Sequence, residues 1–99
     1  AYNGQISQII GERGEGNGQF NLPADVAVDD QGRIYVADYG NNRIQVFDAE
    51  GNYLTQWGSL GSGEEQLDQP TAVVYRSGFL YVADYGNNRI VKLRLIGSN

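Results

Sequence analysis

One run of ten residues occurs twice in the chain. Tyr35 to Ile44 reads YVADYGNNRI, and Tyr81 to Ile90 reads the same, 46 positions later. Such a repeat restricts the chain to architectures in which one supersecondary unit stacks on copies of itself. The alignment extends upstream at a spacing of 47, pairing Gly11 with Gly58, Gly14 with Gly61, Gly16 with Gly63, Gln19 with Gln66 and Pro23 with Pro70. One residue is therefore lost between Pro70 and Tyr81. The loss falls where Asp29-Asp30-Gln31-Gly32 gives way to Arg76-Ser77-Gly78. Both are turn compositions, so a hairpin loop absorbs it. A period of this length suits propeller blades and some helical arrays.

The residues choose between the two. Each unit consists of short runs rich in Val, Ile, Tyr and Phe, bounded by Gly, Asn and Asp, which is the signature of strands and hairpins. No window holds helical spacing long enough for a helix. The predicted strands of the first unit are Ala24 to Asp29, Arg33 to Asp38, Arg43 to Asp48 and Asn52 to Trp57. In the second they are Thr71 to Tyr75, Phe79 to Asp84 and Arg89 to Leu95. The fourth strand of a set is found at the other end, because Gln5 to Ile10 aligns with Asn52 to Trp57. The fold class is thus all-β, two four-stranded antiparallel blades in one domain of 99 residues, with units of about 4–50 and 51–99.

These residues resemble the NHL repeat family. The resemblance rests on Gly16-Asn17-Gly18-Gln19-Phe20-Asn21-Leu22-Pro23, on Val26-Ala27-Val28-Asp29, and on Ile34-Tyr35-Val36-Ala37-Asp38 followed by Gly40-Asn41-Asn42-Arg43-Ile44. It covers nearly the whole chain as two copies. The second departs from it where Glu65 replaces Gly18, Leu67 replaces Phe20 and Arg76 takes the Asp29 position. The resemblance implies a six-bladed β-propeller, closed by pairing an N-terminal strand with the other strands of the last blade.

Two blades leave a difficulty. The middle strands Ile34-Tyr35-Val36-Ala37 and Leu80-Tyr81-Val82-Ala83 are apolar at successive positions, so both faces of each sheet need cover. A blade face of roughly 400 Å², mostly apolar, represents at most about 10 kcal/mol of burial. Arg89 to Leu95 also ends as an unpaired edge, and Gln5 to Ile10 lacks a partner. Joining the edge of one copy to the leading strand of the next satisfies both. Such head-to-tail contacts close into a ring or polymerise. With six blades, three chains close it, so the expected partner is the chain itself, in a homotrimer with exchanged strands. Ile6, Ile9, Val91 and Leu93 are the expected junction residues.

Asp38 with Arg43, and Asp84 with Arg89, flank a Tyr-Gly-Asn-Asn turn. Here the carboxylates and the turn residues Asn42 and Asn88 are read as structural: short Asp and Asn side chains bond local amides, while the Arg pairs with a carboxylate. The string Gly11, Gly14, Gly16 and Gly18 lacks phosphate-loop spacing and reads as a flexible connection between blades. Asp25 is the nearest approach to a metal ligand, since three copies could ring a channel mouth. Ala72 and Arg76 at the positions matching Asp25 and Asp29 argue against it. Tyr39 and Tyr85, at the turn tips beside Arg43 and Arg89, are the candidate partner-binding residues, suited to protein or peptide.

Composition narrows the chemistry. The chain has no Cys and no His, which removes disulfides, thiolate zinc and imidazole acid–base chemistry; no cofactor is expected. With 7 basic against 12 acidic residues and a net charge of −5, the footprint of nucleic-acid binding is missing. No apolar run approaches the ~18 residues of a membrane span, so no membrane partner is expected, and Ala1 to Ile10 lacks the pattern of a secretory leader. The expected function is a non-enzymatic, self-assembling scaffold or protein-binding module, natural fragment or engineered building block. The alternatives are a propeller hydrolase of the lactonase kind with a channel metal, an amidating lyase, whose pattern requires the absent His, and an RNA-binding member of the family.

Overall fold

The computed structural model describes residues 3–96. In chain order the strands are β1 (Glu12–Arg13), β2 (Gln19–Phe20), β3 (Pro23–Val28), β4 (Ile34–Asp38), β5 (Arg43–Phe47), β6 (Tyr53–Trp57), β7 (Pro70–Arg76), β8 (Phe79–Asp84) and β9 (Arg89–Arg94). Single 3-10 turns, Tyr39–Asn41 and Tyr85–Asn87, separate the middle strands of each unit. β3-β4-β5-β6 form one antiparallel sheet and β7-β8-β9 another, each connected strand to neighbouring strand. The first sheet is the four-stranded antiparallel unit that the repeat predicts, with strand ends shifted by a residue or so; the second has three strands where four are expected. Pro23 and Pro70 open the first strands, where a missing N–H breaks no ladder.

The length difference between the units sits in the first hairpin. In the second blade Arg76 faces Phe79 across the two-residue turn Ser77-Gly78, with φ of 49° and 86°. Positive φ at both central residues is the tight hairpin geometry that matches strand twist. In the first blade the loop is longer, and the Asp29 amide bonds the Arg33 carbonyl at 3.0 Å.

Two cores result. The larger lies between the blades and joins Tyr35, Ala37 and Ile44 of the first to Leu67, Val73, Leu80 and Val82 of the second. The smaller, Phe20, Val36 and Phe47, lies on the far side of the first blade, with Phe47 tilted against Phe20 and edge-on to Tyr53. β4 is covered on both faces, as its unbroken apolar run requires. β8 carries the same run but only alternate residues are fully buried, because among the described residues no second sheet packs on its other face, where Lys92 lies over Phe79 and Tyr81.

One expectation needs correction. The glycine-rich connection is built rather than flexible: the Gly14 amide bonds the Phe20 carbonyl at 3.0 Å, and Gln19 Oε1 accepts the Gly16 amide at 2.9 Å. The second unit repeats both bonds, from Gly61 to Leu67 and from Gly63 to Gln66. Gly14 and Gly61 each hold φ of 154°, which is why glycine stands there. The expected strand Gln5 to Ile10 forms no ladder in the single chain, since a strand needs an edge to pair with. This arm instead lies along the first blade. Ile10 packs on the smaller core, and Gln8 Nε2 donates to the Glu50 carbonyl at 2.5 Å.

Candidate functional site

The repeated turn is organised by a buried acid. Asp38, fully buried, accepts the Asn21 amide on Oδ1 at 2.9 Å, and Oδ2 takes bonds from Asn41 Nδ2 at 2.9 Å, Arg43 Nε at 2.9 Å and Gln45 Nε2 at 3.1 Å. The Arg43 guanidinium spends its remaining donors on the Gly16 and Gln19 carbonyls and on Gln56. In the second blade Asp84 accepts the Asp68 amide, Asn87 and Arg89, while Arg89 bonds the Ser62, Gly63 and Gln66 carbonyls. Burial pushes the Asp84 carboxyl up, but these donors outweigh it and hold the group below the ordinary carboxylate range. The acids and arginines therefore lock the glycine loop onto the strands, and the arginines face their own blade's carboxylate.

Three features escaped the sequence reading. Gln45, buried, bridges Asp38 to the loop through the Gln19 carbonyl and the Gly18 amide, where the second blade has Val91. Asn41 and Asn87, rather than Asn42 and Asn88, touch the carboxylates; each also bonds a loop carbonyl, Gly14 or Gly61. Asp29 closes the first hairpin by accepting the Gln31 and Arg33 amides, Arg33 Nε at 2.6 Å and the Tyr35 hydroxyl at 2.8 Å. Burial pushes Asp29 up, and those donors more than offset it, so its carboxyl lies below the usual range. Burial and the Asp29 contact push the Tyr35 hydroxyl up to about 12. Turn composition alone marks such a loop, not its partners.

Between the blades three polar contacts register the packing. Asn42, held at φ 57° and ψ 45° at the end of its turn, accepts the Gln69 amide on Oδ1 at 2.9 Å. Asp25 accepts the Val26 amide on Oδ1 and the Val73 amide on Oδ2, at 2.9 and 3.0 Å. Asp30 accepts the Tyr75 hydroxyl at 3.0 Å. The metal candidate is thus a cap linking two inner strands, and among the described residues no group of three or more Cys, His, Asp or Glu gathers. Tyr39 and Tyr85 open the 3-10 turns, Tyr39 half-buried and Tyr85 exposed. Arg43 is buried beneath, so it does not join Tyr39 in a surface patch. Ile6 and Ile9 stand exposed, whereas Val91 and Leu93 pack against the interblade core; the single chain does not bring the two sets together.

The NHL repeat model matches residues 20–47 and 67–93, the two blades found in the structure. The chain belongs to the NHL repeat family. It is 48% identical over 71 residues to the Drosophila melanogaster protein brain tumor, covering 70% of this chain and 7% of that protein. It is 50% identical over 60 residues to Homo sapiens NHL repeat-containing protein 3, covering 60% of this chain and 17% of the relative. A Caenorhabditis elegans protein named "Probable peptidyl-alpha-hydroxyglycine alpha-amidating lyase pgal-1" is 46% identical over 56 residues, 52% of this chain and 16% of its own length. The chain spans less than a fifth of each of these relatives.

Proposed function

We propose that this chain is a non-enzymatic building unit of an NHL propeller, that three copies join head to tail into one six-bladed ring, and that the ring serves as a scaffold binding protein or peptide at its turn tips. One observation carries the reading. Identical or aligned positions differ in exposure according to whether a neighbouring blade is present. Ile44 is 1% exposed, and its copy Ile90 is 67% exposed; Val73 is 2% exposed, and its copy Val26 is 57% exposed. Ile44 and Val73 meet in the core between the blades, so the open faces bearing Ile90 and Val26 are the two halves of a second such core. Contiguous apolar surface of that size calls for a partner, and the matching surface is on the chain itself.

The arm supports the same reading. Ile10 aligns with Trp57, which packs on the interblade core from the outer strand of the first blade, and Ile10 packs on the smaller core in the corresponding way. This supports reading residues 5–10 as the outer strand of a preceding blade, paired with β9 of another copy. Enzymatic chemistry finds little purchase: the buried carboxylates are consumed by structural bonds, and the chain has no His.

Ile90→Lys tests the assembly. In a lone chain the site is exposed and the change is worth within about 0.5 kcal/mol; in the ring it places a charge in an apolar joint. We expect the variant to keep its β-sheet circular dichroism while sedimenting as a single chain. A variant that assembles like its parent overturns the ring.

A further inference from the structure

We infer that one polar latch registers the joint between copies: the Leu22 N–H of one chain donates to Asn88 Oδ1 of the next. This rests on the ring reading and names the contact that fixes its register. The bond already exists once inside the chain, where the Gln69 amide donates to Asn42 Oδ1 at 2.9 Å. Leu22 is the copy of Gln69 and Asn88 the copy of Asn42. Both halves are set in the same conformation as the bond that is formed. Leu22 holds φ 59° where Gln69 holds 58°; Asn88 holds φ 54° and ψ 46° where Asn42 holds 57° and 45°.

Leu22 draws a second argument. A leucine at positive φ is strained, and this one is 67% exposed, so no packing within its own chain explains it. At Gln69 the same backbone twist aims an amide across a blade joint. At Leu22 it aims one from the open face of the first blade, and Asn88 stands exposed on the second, its side chain free of hydrogen bonds among the described residues.

The other polar contacts of the internal joint cannot be copied. Ala72 replaces Asp25, and Val28 stands where Tyr75 provides its hydroxyl. The Val26 amide, which Ala72 could not satisfy, is already taken by Asp25 of its own chain. Of the three registering contacts, the sequence retains the Asn pair alone, and the joint between copies depends on it for polar specificity.

The test uses the whole chain with Asn88→Gly, which tolerates the left-handed conformation but has no acceptor, beside Asn88→Asp, which keeps an acceptor oxygen. Sedimentation equilibrium reads the assembly, and amide hydrogen exchange reads Leu22 against Gln69. Loss of one such bond weakens each joint about tenfold, and with three joints the dissociation midpoint of Asn88→Gly rises on the order of 30-fold. Leu22 loses protection, Gln69 keeps it, and Asn88→Asp behaves as the parent. An Asn88→Gly ring as tight as the parent, with Leu22 still protected, overturns the latch and leaves the ring standing. A parent chain that is monomeric with an unprotected Leu22 overturns the ring reading itself, and the latch with it.

Discussion

Individual side chains in this protein are spent mainly on holding loops to strands. Asp38 and Asp84 each collect donors from a turn, a strand and a loop, so one carboxylate fixes three segments. The repeat made these residues visible, because a residue kept in both units serves both blades. Gln45 and Asp29 were not visible in the same way, because neither is repeated and a lone polar residue in a strand or turn reads as solvated. Acid titration follows from the geometry. Asp29 and Asp84 lie below their unfolded values, so their contribution is complete above about pH 4 and is lost as the pH falls through the lowered folded values. Circular dichroism melts should show a midpoint that falls steeply below about pH 4. Asp84→Asn should melt lower at neutral pH and show a shallower acid slope; parallel slopes would contradict the role given to this carboxylate.

At the scale of elements the sequence is legible, since β-branched runs between glycine-rich turns leave few alternatives, and the missing residue falls in the first hairpin of the second unit. What escaped was the order in the glycine connection. Its bonds run from backbone to backbone and to Gln19 and Gln66, and composition carries no trace of such pairing. The arm, too, could be read only as a strand in waiting, because strand identity depends on an edge that residues 5–10 do not find in one chain. Ser77 offers a test of the hairpin assignment. It adopts φ 49° at the first turn position, where a side chain other than Asn or Gly costs ~1 kcal/mol. Ser77→Asn should recover part of that and raise the thermal midpoint. An unchanged or lower midpoint would show that the turn relaxes in solution.

The whole molecule is set by two copies of one repeating unit. Inside the chain one blade joint is formed, with an apolar core and three registering bonds. Its two halves have counterparts on opposite open faces, which differ at several positions, among them Lys92 for Val46, Ala72 for Asp25 and Val28 for Tyr75. Family membership implies the propeller architecture, and the exposure contrast between copies is the ground for the assembly we propose. In the ring we propose, three chains at a net charge of −5 each give an acidic assembly, which favours protein over phosphate-backbone partners. Sedimentation equilibrium of the unmodified chain at micromolar concentration decides the matter. The account predicts a closed species at three times the 10.9 kDa chain mass; a folded species at the mass of one chain, unchanged as concentration rises, would contradict it.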